Sequence, residues 1–247
     1  GLGRAYALAF AAEGANVVVN DIGTSLGGEG RDTSAADGVV AEIKAAGGNA
    51  IANYEDITDW DAAKRIVDAA VAAFGDLHVV VNNAGIVRDR MFVNSEESEW
   101  EAVLRVHVMG HAAPARHAAA YWRVKSKAGE PVSGRIINTA SQLAYKGAPG
   151  FSAYTAAKGG ILSFTRTTAL ELGARGITIN CVAPGATLTP ILQDVPTAVL
   201  DQIRAAIPLG RLAEVADIVP SYVFLASAGA RHYQGQYLSP NGGDVFL

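Results

Sequence analysis

Six short, largely apolar runs recur along the chain, each separated from the next by a longer stretch with helical spacing. The runs are Asn16–Asn20, Asn49–Asn53, Leu77–Asn82, Arg135–Thr139, Ile177–Val182 and Gly235–Ser239. Most are continuously apolar rather than alternating, the pattern of strands covered on both faces. The helical stretches are Arg4–Glu13, Ser34–Ala46, Asp59–Phe74, Glu96–Val124, Ala153–Ala174 and Ala213–Ser227. Asp59 suits a helix N-cap, and Gly14, Gly47 and Gly75 suit helix stops. Strands alternating with helices predict an α/β fold, a doubly wound parallel sheet with helices on both sides.

At 247 residues, half of them hydrophobic, the chain fits one domain, 1–247, with a substantial core. Its net charge is −4 and it has no long basic run, which speaks against a nucleic-acid partner. The one cysteine, Cys181, lies in an apolar run and reads as a buried, inert thiol suited to a reducing cytoplasm. No apolar run reaches the ~18 residues of a membrane span, and no signal peptide is visible. His111 and His117 lack a metal-ligand cluster and read as packing or interface residues.

Gly1-Leu2-Gly3 runs directly into a helical pattern. Glycines there let backbone N–H groups approach a pyrophosphate, which the helix dipole also favours. Asp21, with Ile22 beside it, ends the run Asn16–Asn20 eighteen residues after Gly3. An acid at that place suits the ribose hydroxyls of NAD and repels the extra phosphate of NADP. An ordinary turn and a strand-end aspartate are the alternative. Asn83-Ala84-Gly85 and Asp56-Ile57 also follow strand runs and could admit the adenosine half of a dinucleotide. Pro184-Gly185, with Thr187 and Thr189 beyond, could meet a carboxamide. A dinucleotide fold needs a strand and a glycine ahead of Gly1. The expectation is therefore a sheet whose first strand is missing from the chain, which intact-protein mass spectrometry tests.

Tyr154 and Lys158 are one helical turn apart and share a helix face. A lysine cation beside a tyrosine favours the phenolate and lowers its pKa, giving a general acid/base near neutral pH. Ser141, thirteen residues earlier, could hold a substrate oxygen; for the bare pair alone, a core tyrosine beside a solvated lysine is the alternative.

Taken in order, these segments resemble the short-chain dehydrogenase/reductase family over essentially the whole chain. Gly1-Leu2-Gly3 resembles the end of its glycine motif, and Asn82-Asn83-Ala84-Gly85 and Pro184-Gly185 match further cofactor elements. Ser141, Tyr154 and Lys158 match its catalytic serine, tyrosine and lysine. The resemblance implies a Rossmann-type domain, an NAD cofactor, reversible alcohol–ketone chemistry and a homotetramer built on the two alanine-rich helices. It also implies that Lys158 binds the nicotinamide ribose. One position departs from the pattern: His107 stands where the family usually has an asparagine, thought to hold a water in a proton relay. The histidine could relay protons itself or be a core residue. Val19–Gly23, Asn82–Arg90 and Arg105-Val106-His107 resemble the (3R)-hydroxyacyl-CoA and 17β-hydroxysteroid dehydrogenase domains of type 2 multifunctional enzymes.

The expected substrate is a hydrophobic alcohol or ketone, hydroxyacyl-CoA or steroid-like. The expected lid is Thr187–Arg211, with Leu188, Ile191, Leu192, Val195, Val199, Leu200 and Ile203 as its apolar members. A core-packing helix is the competing reading of those residues. The competing functions are an NADP-dependent 3-oxoacyl reductase, which Asp21 opposes, and a catalytically silent nucleotide-binding sensor or scaffold.

Overall fold

The computed structural model describes residues 1–192 and 195–246. Its strands are β1 (Asn16–Asn20), β2 (Asn49–Asn53), β3 (Val79–Asn82), β4 (Gly134–Thr139), β5 (Ile177–Val182) and β6 (Tyr237–Leu238). All pairings are parallel, in two pieces: β1 with β2, and β3-β4-β5-β6. Among the described residues β1 and β3 each pair along one edge only, so the expected single sheet is seen as two.

The helices are α1 (Leu2–Ala12), α2 (Ser34–Ala45), α3 (Trp60–Phe74), α4 (Glu97–Leu104), α5 (Gly110–Lys127), α6 (Leu143–Lys146), α7 (Ser152–Leu172), α8 (Thr197–Ala206) and α9 (Val215–Ala226). Asp59 caps α3, its side chain accepting from the Ala62 amide at 2.7 Å, and Gly75 ends that helix in the left-handed region. No described helix is long and apolar enough to cross a membrane.

Neighbouring residues of β4 show why its sequence is apolar throughout. Ile136 packs with Trp122 of α5, Ala169 of α7 and Ile179 of β5. Ile137 faces the other way, against Tyr6 of α1 and Ile218, Tyr222 and Leu225 of α9. Each fully buried side chain of this kind contributes about 1.5–3 kcal/mol of transfer free energy. Gly134 opens the strand beneath the Trp122 ring; a Cβ there would stand 2.7 Å from the indole. The indole N–H donates to the Leu77 carbonyl at 2.6 Å, so Trp122 ties α5 to the segment entering β3.

The stretch Glu96–Val124, expected as one helix, changes character midway. α4 gives way to a π-helical segment, Arg105–Met109, before α5 begins. A π turn is rare and often marks a functional place in a helix. Pro114 lies inside α5 and has no N–H to donate to the previous turn.

Candidate active site

The catalytic candidates gather where β4 and β5 end. Ser141 follows β4, Pro184-Gly185 follows β5, and α7 carries Tyr154 and Lys158 past both. A buried polar chain fastens these elements together. Asn82 Nδ2 donates to Asn138 Oδ1 at 2.9 Å, and Asn138 Nδ2 donates to Thr165 Oγ1 of α7 at 2.9 Å. Asn138 was not among the sequence candidates. The signal for it was an asparagine in a strand buried at every residue, where a polar group needs partners.

Lys158 is 3% exposed. Its ammonium donates to the Thr139 carbonyl at 2.7 Å and lies 5.6 Å from the centre of the Tyr154 ring. An ammonium has three donors, so the Thr139 bond leaves two for other partners. Burial pulls Lys158 down to about 8. Burial also holds the Tyr154 phenol above its ordinary value, opposed by the neighbouring Ser141 hydroxyl. The expectation of a lowered tyrosine thus meets a contrary force: desolvation disfavours the phenolate, and it outweighs the Ser141 hydrogen bond. Ser141 Oγ accepts from the Leu143 amide at 3.2 Å, which leaves its O–H free to donate.

His107 sits in the π turn, 1% exposed, with its ring edge-on to Tyr154 at 5.3 Å between centres. Its Nε2 lies 2.8 Å from the Ile86 carbonyl and 3.2 Å from the Ile86 amide. Burial, reinforced by Lys158, pushes its pKa down to about 3, so it is neutral at physiological pH. Its ring also explains Gly85, where a Cβ would stand 2.4 Å from His107 Cε1. His107 therefore shapes the Asn83-Ala84-Gly85 turn, which spacing did not reveal. His111 is fully buried and His117 stacks edge-on against Trp60, both as packing residues. Cys181 is fully buried, and burial pushes its thiol up to about 12.

The residues expected to hold a dinucleotide head α1 or follow the carboxyl ends of β1, β2, β3 and β5. Gly1 heads α1 without a side-chain cap, so the first amides of that helix have no side-chain acceptor. A Cβ on Gly3 would meet Asn83 at 3.1 Å, and one on Gly1 would meet Pro190 at 4.0 Å. The glycine start, the Asn83 turn and the lid segment therefore converge. Ala84 and Gly85 are exposed, open to a flat ring. Asp21 is exposed at the end of β1, and its carboxylate accepts from the Gly23 amide at 2.7 Å. Arg4 pairs with Glu42 of α2, Nε to Oε1 at 2.8 Å, which engages the arginine that follows the glycines. The Ile22 carbonyl receives the Asp32 amide at 3.3 Å, folding the glycine-rich loop back on itself.

Asp56 caps its own turn, accepting from the Thr58 amide at 2.8 Å, and Ile57 packs against Gly110. Thr187 is buried with its hydroxyl donating to the Gly185 carbonyl at 2.9 Å, so its side chain is engaged at the turn. The Thr189 carbonyl accepts from the Leu192 amide at 2.9 Å.

In the lid stretch 187–211, α8 buries none of its residues completely, and Leu188 and Val199 are exposed. Leu192, Val195, Leu200 and Ile203 are half-buried. Residues 193 and 194 and the side chain of Ile191 lie outside the description.

Comparison with known proteins places these features in context. Residues 1–244 match a family model described as enoyl-(acyl carrier protein) reductase. A peroxisomal hydratase-dehydrogenase-epimerase of Neurospora crassa is 46% identical over 74% of this chain, which spans only 20% of that protein's length. A 3-oxoacyl-[acyl-carrier-protein] reductase, FabG, of Staphylococcus aureus is 36% identical over 98% of this chain and 93% of its own. The hydroxyacyl-CoA dehydrogenase ChsB1 of Mycobacterium tuberculosis is 38% identical, over 100% of this chain and 76% of its own. The crystal structure of a short chain dehydrogenase from Mycobacterium avium superposes with a TM-score of 0.83 at 47% identity, covering 98% of this chain and 80% of that one.

Proposed function

This chain belongs to the short-chain dehydrogenase/reductase family, and from that premise we propose that it is an NAD-dependent dehydrogenase for a hydrophobic secondary alcohol of the 3-hydroxyacyl-CoA class. Family membership makes it an NAD(P)-dependent oxidoreductase acting on CH–OH groups. The observation that carries the chemistry is the buried Tyr154–Lys158 pair beside Ser141.

Bound nicotinamide supplies the hydride acceptor. The Ser141 hydroxyl donates to the substrate oxygen and fixes its position. Tyr154, as phenolate, takes the alcohol proton as the C–H hydride departs; in reduction it returns that proton. Lys158 stabilises the phenolate and offers its two remaining N–H donors to ribose hydroxyls. His107 acts as a positioning residue, clamping Ile86 and so the turn that faces the dinucleotide. The cofactor set is Gly1, Leu2, Gly3, Asp21, Ile22, Asp56, Ile57, Asn83, Ala84, Gly85, Pro184, Gly185, Thr187 and Thr189. Leu188 and Val199, exposed apolar side chains of the 187–211 lid, suit an acyl chain or a steroid-like ring.

The choice of NAD rests on Asp21 being exposed while Arg4 is held by Glu42. The 3-oxoacyl-[acyl-carrier-protein] reductase relative supports a second reading, an NADP-dependent 3-oxoacyl reductase. Rates with NAD and NADP on 3-hydroxyacyl-CoAs, steroid alcohols and terpene alcohols separate the two. NAD should be preferred, and Asp21→Ser should narrow that preference by roughly tenfold, about 1.4 kcal/mol. A wild-type preference for NADP would overturn the assignment.

The two alanine-rich helical stretches also expose Leu104, Met109, Val124 and Leu170. These suit subunit contacts in a homotetramer, and sedimentation showing a monomer at micromolar concentration would remove that reading. The buried, unpaired cysteine suits a cytoplasmic setting.

A further inference from the structure

A second polar cavity lies at the other end of the strands. The amino ends of β4 and β5 open into a space of about 470 Å³, lined among others by Ser133, Arg135, Thr178, Arg231, His232 and Gln234. Arg135 and Thr178 are cross-strand partners in the parallel register. β4 has six residues, so the cavity lies roughly 20 Å from Ser141 along the strand.

Arg135 is 9% exposed, and its Nε has no hydrogen-bond partner. Among the described residues its guanidinium donates only to the adjoining Gly134 carbonyl, at 3.2 Å, and no carboxylate lies within 4 Å of it. Burial holds it below its usual range with no opposing acid. Some other arginines meet carboxylates at the surface, as Arg65 meets Glu55 and Arg211 meets Asp217; Arg135 differs in being buried without one. Thr178 Oγ1 is likewise buried without a partner. An uncompensated buried cation is costly unless something supplies the opposite charge. Arg231 adds positive charge at the exposed rim, where His232 also lies. Gln234 forms a fixed wall, its amide donating to the Ala169 carbonyl at 2.6 Å and its oxygen accepting from the Ile179 amide at 2.9 Å.

We propose that this cavity is a second ligand site, an oxyanion pocket that takes a phosphate group. The planar guanidinium of Arg135 matches two phosphate oxygens, Arg231 supplies a second cation, and the Ser133 and Thr178 hydroxyls are added donors. The phosphate could be inorganic or carried by a small phosphorylated metabolite, and no bond is made or broken in binding it.

The test is calorimetric titration of the full chain with inorganic phosphate, and in parallel with a sugar phosphate, at constant ionic strength. Saturating NADH is present throughout to fill the dinucleotide site. The wild type should bind at least one of the two, and a preference between them identifies the source. Arg135→Gln should weaken binding roughly ten- to hundredfold, the loss expected for a charge-assisted contact. Arg231→Gln should weaken it severalfold, while both variants keep wild-type turnover. If Arg135→Gln does not fold, Arg231→Gln and His232→Gln carry the test. Absence of binding by the wild type, or equal affinity in the lining variants, would overturn the proposal.

Discussion

Replacing Tyr154 with phenylalanine should lower turnover roughly a thousandfold, within the usual span for a lost general acid/base, while NADH binding persists. The phenol oxygen is the only atom removed. The ring would keep its edge-on contacts with His107 and Phe151, at 5.3 and 6.0 Å between centres. Steady-state rates with a responsive substrate, together with NADH fluorescence titration, give both numbers. Unchanged turnover would reject Tyr154 as the proton handler. Absence of any turnover in the wild type, with NADH still bound, would favour the silent sensor or scaffold.

A second large effect concerns Lys158 and stability. Its folded-state pKa, about 8, lies below the 10.5 of an unperturbed lysine. Below pH 8 both folded and unfolded chains carry the proton, and the folded chain bears the cost of burying it. Between about 8 and 10.5 the folded chain releases the proton while the unfolded chain keeps it. The unfolded state then binds more protons, so stability rises with pH across that window. At about 1.4 kcal/mol per unit the full change is about 3 kcal/mol. Lys158→Met removes this dependence. It also strips the Thr139 carbonyl of its donor, a loss that does not vary with pH. The wild type should therefore gain on Lys158→Met by about 2–3 kcal/mol between pH 7 and pH 10 in urea unfolding. Parallel stability curves for the two proteins would show that the ammonium is better solvated than its surroundings indicate.

The Lys158 cost also bears on catalysis. A lysine held near 8 is a cation at neutral pH, yet one with little surrounding water to screen it. Its influence on a developing phenolate at Tyr154 is stronger for that reason. The resting tyrosine is nevertheless raised by its own burial.

Much of the fold was readable from spacing. Apolar runs without alternation implied strands covered on both faces, and Ile136 and Ile137 point to opposite sides of β4. Asp59 and Gly75 bounded α3 as expected, because capping depends on residues only a few positions apart. The ends of other elements were less readable. β3 begins at Val79 rather than Leu77, and β6 spans only Tyr237–Leu238, because pairing with the neighbouring strand decides where a strand stops. The π turn at Arg105–Met109 left no mark in a pattern that reads as one continuous helix.

The candidate site divides in the same way. Ser141, Tyr154, Lys158 and the glycine start were visible as residue types at set spacings, and the alternation of elements implied one sheet edge for them all. Three facts needed the assembled molecule: Glu42 occupies Arg4, the His107 ring fills the space that makes position 85 a glycine, and Arg135 is buried without an acid. Local order along the chain carries periodicity, caps and motif spacing, since these involve residues within a turn or two of each other. Desolvation and ion pairing depend on which distant segments meet, and here they set the Tyr154 and Lys158 proton affinities and leave the Arg135 charge unanswered.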